Sequence, residues 1–157
     1  MSGPLTVSSS RAVPAELERT FEVTMSQPLP RLFRRRFGPL PPIKEVRDQP
    51  ATWDGVGQSR LIVLSGGGTM RETLTKVDRP RAFGYLIDEV TGPMKPIAAK
   101  VEGEWSFEPT GTGTRVTWTW TIHPPNQVGE FLLPVFGRFW KGYARQALEE
   151  LEQVLAG

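Results

Sequence analysis

The stretch Val101-Glu-Gly-Glu-Trp105-Ser-Phe107-Glu-Pro-Thr110-Gly-Thr-Gly-Thr-Arg-Val116-Thr-Trp118-Thr-Trp120-Thr-Ile122 decides the fold of this chain. Successive side chains of a strand point to opposite faces, so a period of two marks a strand with one buried side. Two such runs are joined here by Gly111-Thr-Gly113, which is turn chemistry. Pairing Phe107 with Val116 sets Trp105 opposite Trp118, Gly103 opposite Trp120 and Val101 opposite Ile122, all on one face. Glu102, Glu104, Glu108, Arg115, Thr117, Thr119 and Thr121 take the other face. The register of a half-buried hairpin is thereby specified.

Upstream, strand follows strand: Ile43 to Arg47, Ser59 to Leu64, Thr69 to Val77 and Arg81 to Val90, before hairpin arms at Ala98 to Glu108 and Thr114 to His123. The connectors Gly66-Gly-Gly68, Asp78-Arg-Pro80 and Gly92-Pro93 are short, which implies an antiparallel meander rather than parallel crossovers. A first strand is expected over Leu5 to Val13. Pro14 fits the first position of a helix whose apolar face is Leu17, Phe21 and Met25, and Pro28 and Pro30 end it. A second short helical piece spans Pro30 to Arg36, before the breaker Gly38-Pro-Leu-Pro-Pro42.

Downstream, about Gln127 to Ala156 reads as a long amphipathic helix. Leu132, Phe136, Phe139, Trp140, Tyr143, Ala147, Leu151 and Val154 share one broad face, with Arg138, Lys141, Arg145, Glu149 and Glu152 mostly opposite. Pro134 and Gly137 predict a kink or a weak first part. Such a stripe must pack on something apolar, and the sheet is the one large surface on offer. The pattern predicts an α+β fold: a curved antiparallel sheet of about seven strands, two short helices after the first strand, and a long C-terminal helix.

The length of 157 residues matches one domain, ~100–200 residues being usual, so residues 1–157 are expected to form a single unit. With 38% apolar residues the chain can build one substantial core. There is no cysteine, which removes disulfides, thiol nucleophiles and thiolate zinc sites. One histidine, His123, cannot make a multi-histidine metal site, and no cofactor motif is present. His123 reads as a surface residue at a strand end, the alternative being a general base. Gly66-Gly-Gly68 lacks the Lys-Ser/Thr and the strand-to-helix context of a phosphate loop, so it reads as a hairpin turn.

A net charge of +2 is too small to imply a nucleic-acid partner. The basic run Arg31, Arg34, Arg35 and Arg36 is either a solvated helix-end cluster or a surface for phosphates and acidic lipid headgroups. No stretch approaches the ~18–20 apolar residues of a membrane span, so no stable membrane insertion is expected. Met1 to Ser10 lacks the layout of a signal peptide, and a cytoplasmic protein is the expectation. Nothing in the pattern sets an oligomeric state.

The inward face of the hairpin crowds Trp105, Trp118 and Trp120 toward helix residues Phe136, Trp140 and Tyr143. Two readings fit: a solid aromatic core, or an aromatic-lined cavity with a few polar groups. Gly103 opposite Trp120 leaves room beneath the sheet. Met70, Glu72 and Leu74 share a strand face, so Glu72 turns inward with its apolar neighbours. It is a candidate polar anchor or acid–base group, or else a rim carboxylate paired with Arg60 or Arg71. Phe83, Tyr85 and Ile87 form another apolar face, which makes Tyr85 either a hydroxyl inside the pocket or a core ring with its OH wetted at the edge.

In element order and local signatures the chain resembles the polyketide cyclase/dehydrase group of the SRPBCC superfamily, the helix-grip proteins related to START lipid-transfer domains and pollen allergens. The residues that carry the likeness are Val13-Pro-Ala-Glu16 leading to Phe21, Trp53-Asp-Gly-Val-Gly57 before Arg60, Arg71-Glu72, Asp78-Arg-Pro-Arg81 leading to Tyr85, and Gly111-Thr-Gly-Thr-Arg-Val116 with Trp118. The resemblance implies a seven-stranded sheet gripping the C-terminal helix over a deep apolar cavity. It also implies a hydrophobic small-molecule partner, aromatic, polyketide-like or lipid, bound for carriage or sensing. Met70, Glu72, Tyr85, Ile87, Gly103, Trp105, Trp118, Trp120, Phe136, Trp140 and Tyr143 are then the candidate ligand-binding residues. The alternative is a cyclase or aromatase with Glu72 and Tyr85 as its acid and base.

Overall fold

The computed structural model describes residues 3–157. Its elements are β1 (Leu5–Val13), α1 (Leu17–Ser26), α2 (Leu29–Leu32), β2 (Ile43–Arg47), β3 (Ser59–Leu64), β4 (Thr69–Asp78), β5 (Ala82–Asp88), a short 3₁₀ turn (Gly92–Met94), β6 (Lys100–Thr110), β7 (Gly113–His123) and α3 (Gln127–Ala156). The seven strands form one sheet in the order β1-β7-β6-β5-β4-β3-β2, every neighbouring pair antiparallel. From β2 to β7 each strand lies beside its successor, as short turns dictate. β1 pairs instead with β7, so the sheet's two edge strands follow one another in the chain. Helices α1 and α2 bridge between them, packing on β6, β2 and α3. The sheet curls around α3 as a half-barrel, the helix-grip arrangement.

The β6–β7 hairpin pairs Val101 with Ile122, Gly103 with Trp120, Trp105 with Trp118 and Phe107 with Val116, the register that the alternation predicts. All but Gly103 belong to the buried hydrophobic core. Gly66-Gly-Gly68 is the β3–β4 hairpin turn, closed by the Leu64 N–H on the Gly68 carbonyl at 2.8 Å.

Two details of the helices depart from the expectation. Glu16, with extended backbone at φ −70° and ψ 163°, is the residue before α1, so the helix begins three residues after Pro14. The second helix is the single turn Leu29–Leu32, because Phe33 leaves helical geometry at φ −111° and ψ 50°. As for α3, it is one continuous helix from Gln127 to Ala156 with Pro134 and Gly137 inside it. Pro134 stands on the exposed side, where water can meet the carbonyl it leaves unpaired. Gly137 faces β1: a Cβ there would come within 3.0 Å of Leu5 and 3.3 Å of Val7, so the glycine lets helix and strand approach closely.

The buried side of α3 is Leu133, Phe136, Trp140, Tyr143, Ala144, Ala147, Leu148, Leu151 and Leu155. Leu132 and Phe139, expected on that side, are 39% and 37% exposed, and Val154 is half-buried. The apolar arc in the first half of α3 is wider than the sheet can cover, and Leu132 and Phe139 lie on its uncovered margin.

Candidate functional site

The inner face of the sheet and the two short helices line a partly open void of about 40 Å³. Of the sequence-derived candidates, Met70, Glu72, Tyr85, Ile87, Trp105, Trp118 and Trp120 line it. Gly103, Phe136, Trp140 and Tyr143 do not. Trp140 is a fully buried backing plate whose ring lies 4.8 Å from Trp118 and 5.9 Å from Trp120. Tyr143 stacks on Phe33 at 5.5 Å and donates its hydroxyl to the Pro41 carbonyl at 2.8 Å. Burial pushes the Tyr143 phenol above its ordinary pKa, so it stays neutral.

Gly103 does not leave an empty space. It is cross-strand partner to Tyr85, and a Cβ at this position would lie 2.1 Å from Tyr85 Cζ. The tyrosine ring fills the notch that the glycine provides and reaches across to β7. There its hydroxyl oxygen accepts the indole N–H of Trp118 at 2.8 Å and that of Trp120 at 2.9 Å. An indole nitrogen only donates, so both tyrosine lone pairs are used. The Tyr85 hydrogen is left without a protein acceptor among the described residues. Burial, helped by the charge of Glu72, pushes the Tyr85 pKa up, against the two indole donors and Arg60. The phenol is therefore a neutral hydrogen-bond donor rather than a ready base.

Glu72 points inward and is buried, and it is paired with Arg60 rather than with Arg71. These two residues are opposite one another in the β3–β4 ladder, each 4% exposed, with Arg60 Nε donating to Glu72 Oε1 at 2.8 Å. The Arg60 guanidinium also donates to Gln49 Oε1 at 3.0 Å and lies 4.1 Å above the Trp53 ring. Three partners thus compensate a buried cation, as burial of charge requires. Arg71, on the outer face, reaches Ser59 Oγ at 3.3 Å instead.

The other wall of the void was not read from the sequence. Thr24 and Met25 of α1, Leu29 and Leu32 of α2, Phe33 and Ile43 complete it. The signal was the apolar triplet Leu29, Leu32 and Phe33 at helical spacing, hidden among prolines and arginines. The arginines of that segment are not simply solvated. Arg31, Arg34 and Arg35 converge on Glu150 of α3, Arg34 at 2.9 Å and Arg35 at 3.1 Å, while Arg36 makes no ion pair among the described residues. Glu150 itself is 1% exposed.

His123 sits at the end of β7 with its ring nitrogen 2.6 Å from Glu102 on the outer side, away from the void. Among the described residues no three His, Cys, Asp or Glu side chains are grouped to hold a metal ion. No helix among them is long and apolar enough to cross a membrane.

The fold recurs in solved structures at low identity. Ara h 8.0201 superposes with a TM-score of 0.71 at 15% identity, covering 98% of this chain and 99% of that one. TTHA0849 from Thermus thermophilus gives 0.74 at 19% identity, with 97% of both chains covered. Major latex-like protein 151 from Panax ginseng gives 0.70 at 12% identity, covering 98% and 99%. No curated protein matches the sequence significantly. The family described as polyketide cyclase/dehydrase and lipid transport matches residues 4–156, all but the extreme ends of the chain. With that match, the half-barrel around α3 and an aromatic inner face, this chain belongs to the polyketide cyclase/dehydrase and lipid-transport family, within the SRPBCC superfamily.

Proposed function

We propose that residues 1–157 act as one ligand-binding domain that takes up a hydrophobic small molecule between the sheet and α3. The ligand is aromatic, polyketide-like or lipid, and it is carried or sensed in the cytoplasm rather than turned over. One observation carries this reading: a neutral Tyr85 hydroxyl, its oxygen saturated by two indole donors and its own proton without a protein acceptor among the described residues, on a residue that lines a mostly apolar void. That arrangement favours an apolar ligand with one hydrogen-bond acceptor, such as a ketone or ester carbonyl. A void of about 40 Å³ holds only a few water molecules, against ~300–1,000 Å³ for typical ligand sites. Ligand entry therefore requires the α2 wall to move outward.

The test is native mass spectrometry of the protein purified from its own host, followed by denaturing extraction of anything bound. A reproducible hydrophobic adduct is expected, and the extracted compound should quench tryptophan fluorescence when added back. Tyr85→Phe should weaken that binding roughly 3–10-fold, the worth of one neutral hydrogen bond. The reading is wrong if no adduct is found and if sterols, fatty acyls, flavonoids and polyaromatics all leave the fluorescence unchanged.

A second reading, a cyclase or aromatase, draws support from Glu72 and Tyr85 lining the same void. In it the neutral Tyr85 polarises a ketone and Glu72 accepts a proton. Incubating the recovered compound with protein separates the two: chemical conversion that Glu72→Gln abolishes would mark an enzyme, and unchanged compound a carrier.

A further inference from the structure

The first half of α3 carries an apolar stripe that the fold does not cover. Val128 is 67% exposed, Phe131 81%, Leu132 39%, Val135 55% and Phe139 37%. Their spacings of three and four residues place them along one side of the helix, over about 16 Å of its length. Phe37, in the segment after α2, continues the stripe at its far end, its ring centroid 6.5 Å from that of Phe139.

Cations rim this surface. Arg138 follows Val135 by three residues, Lys141 and Arg145 succeed it on the same flank, and all three are exposed. Arg145 lies 5.9 Å above the Phe37 ring, which ties the basic flank to the end of the stripe. The neighbouring Arg36 makes no ion pair among the described residues. The acid in this half of the helix, Glu130, accepts the Gly3 N–H at 2.9 Å and is half-buried.

We propose that this face docks reversibly on an anionic lipid surface, with Phe131, Val135 and Phe139 entering the headgroup boundary and Arg138, Lys141 and Arg145 on the phosphates. An amphipathic helix with apolar residues on one side and Lys/Arg beside them has the chemistry of an interfacial helix lying in the membrane plane. A second copy of the chain fits less well. One helix width by about 16 Å is far below the ~800 Å² per partner of a stable protein interface, and a second copy would bring the same cations into the contact. A lipid surface requires no shape complementarity, and a narrow apolar stripe with cations beside it is enough for reversible binding.

The test is co-sedimentation of the full chain with phosphatidylcholine vesicles, with and without phosphatidylglycerol, at low and high salt. Binding should require phosphatidylglycerol and weaken with salt. Phe131→Ser/Val135→Ser should lower partition at least about tenfold, from the apolar burial it removes. Arg138→Glu/Lys141→Glu should lower it too and flatten the salt dependence. All four residues are exposed, so thermal melts of both variants should match the wild type. The proposal is overturned if the wild type stays in the supernatant with phosphatidylglycerol vesicles, or if Phe131→Ser/Val135→Ser binds as well as wild type. It is equally overturned if the wild type sediments alone as a dimer that this variant splits, since a second copy would then be the occupant.

Discussion

Tyr85 and Gly103 depend on each other. The glycine has no side chain so that the ring can lie across it, and the ring's hydroxyl satisfies two buried indole N–H groups that would otherwise have no partner. Tyr85→Phe keeps the ring but strands those donors, so it should destabilise by about 1–3 kcal/mol. Gly103→Ala should cost more, because its Cβ drives the ring out of its place and the hydrogen bonds go with it. Urea unfolding of the two variants checks the ranking, and a Gly103→Ala protein as stable as wild type would refute the dependence. The parity of Gly103 and Trp120 was legible in the sequence, because the short β6–β7 turn fixes their register. What fills the notch was not. Tyr85 comes from β5, and the long connection from Glu89 to Ala99 sets no register between β5 and β6. Strand alternation gives the face of a side chain, not the neighbour it leans across.

Helix α3 was legible in its bounds and in most of its buried face, and departed from the reading at Leu132, Phe139 and Val154. A wheel records where apolar residues lie, and here the arc holds both the covered side and the exposed stripe around Phe131. It also hides Glu150, a carboxylate on the covered side, because acids of solvated and buried faces look alike in a sequence. Three arginines from α2 and the segment after it meet that carboxylate. Burial works against its charge, but the hydrogen bonds from Arg31 and Arg34 and the charges of Arg34 and Arg35 outweigh it. They hold Glu150 below the usual carboxylate range. The sign follows: a folded-state pKa below the unfolded value of about 4.3 contributes stability that is complete near neutrality and is lost as pH falls through the folded value. Glu150→Gln should therefore destabilise by about 1–2 kcal/mol at pH 7, less than for a wholly buried pair because the arginines can rehydrate. The gap to wild type should close in strong acid. Chemical denaturation across that range checks it, and a gap that widens on acidification would contradict the assignment.

At the scale of the whole molecule the void has two unlike walls. One is the sheet, whose strands are tied by continuous ladders from β1 to β2. The other is α2, a single turn flanked by Pro28 and the exit at Phe33. It is held by the ion pairs to Glu150 and by the Ile43 N–H on the Phe33 carbonyl at 2.9 Å. Local opening takes the path with fewest backbone hydrogen bonds and least buried contact, so α2 and Phe33 are the wall expected to move. The amides of Arg31 and Phe33, each bonded only within their own turn, should exchange with deuterium well before those of the β6–β7 hairpin. Phe33→Ala tests the same wall by removing the ring that closes it against Trp118, 5.1 Å away. A phenylalanine lost from a core costs about 3–5 kcal/mol, part of it through the cavity left behind. A small aromatic probe entering that cavity should recover some of this loss, since binding to the native state alone stabilises it by mass action. The expected result is a lower melting temperature for Phe33→Ala that the probe raises, with little effect on wild type. Faster association of the probe with the variant would identify α2 as the gate, and an unchanged rate would move the gate elsewhere on the molecule.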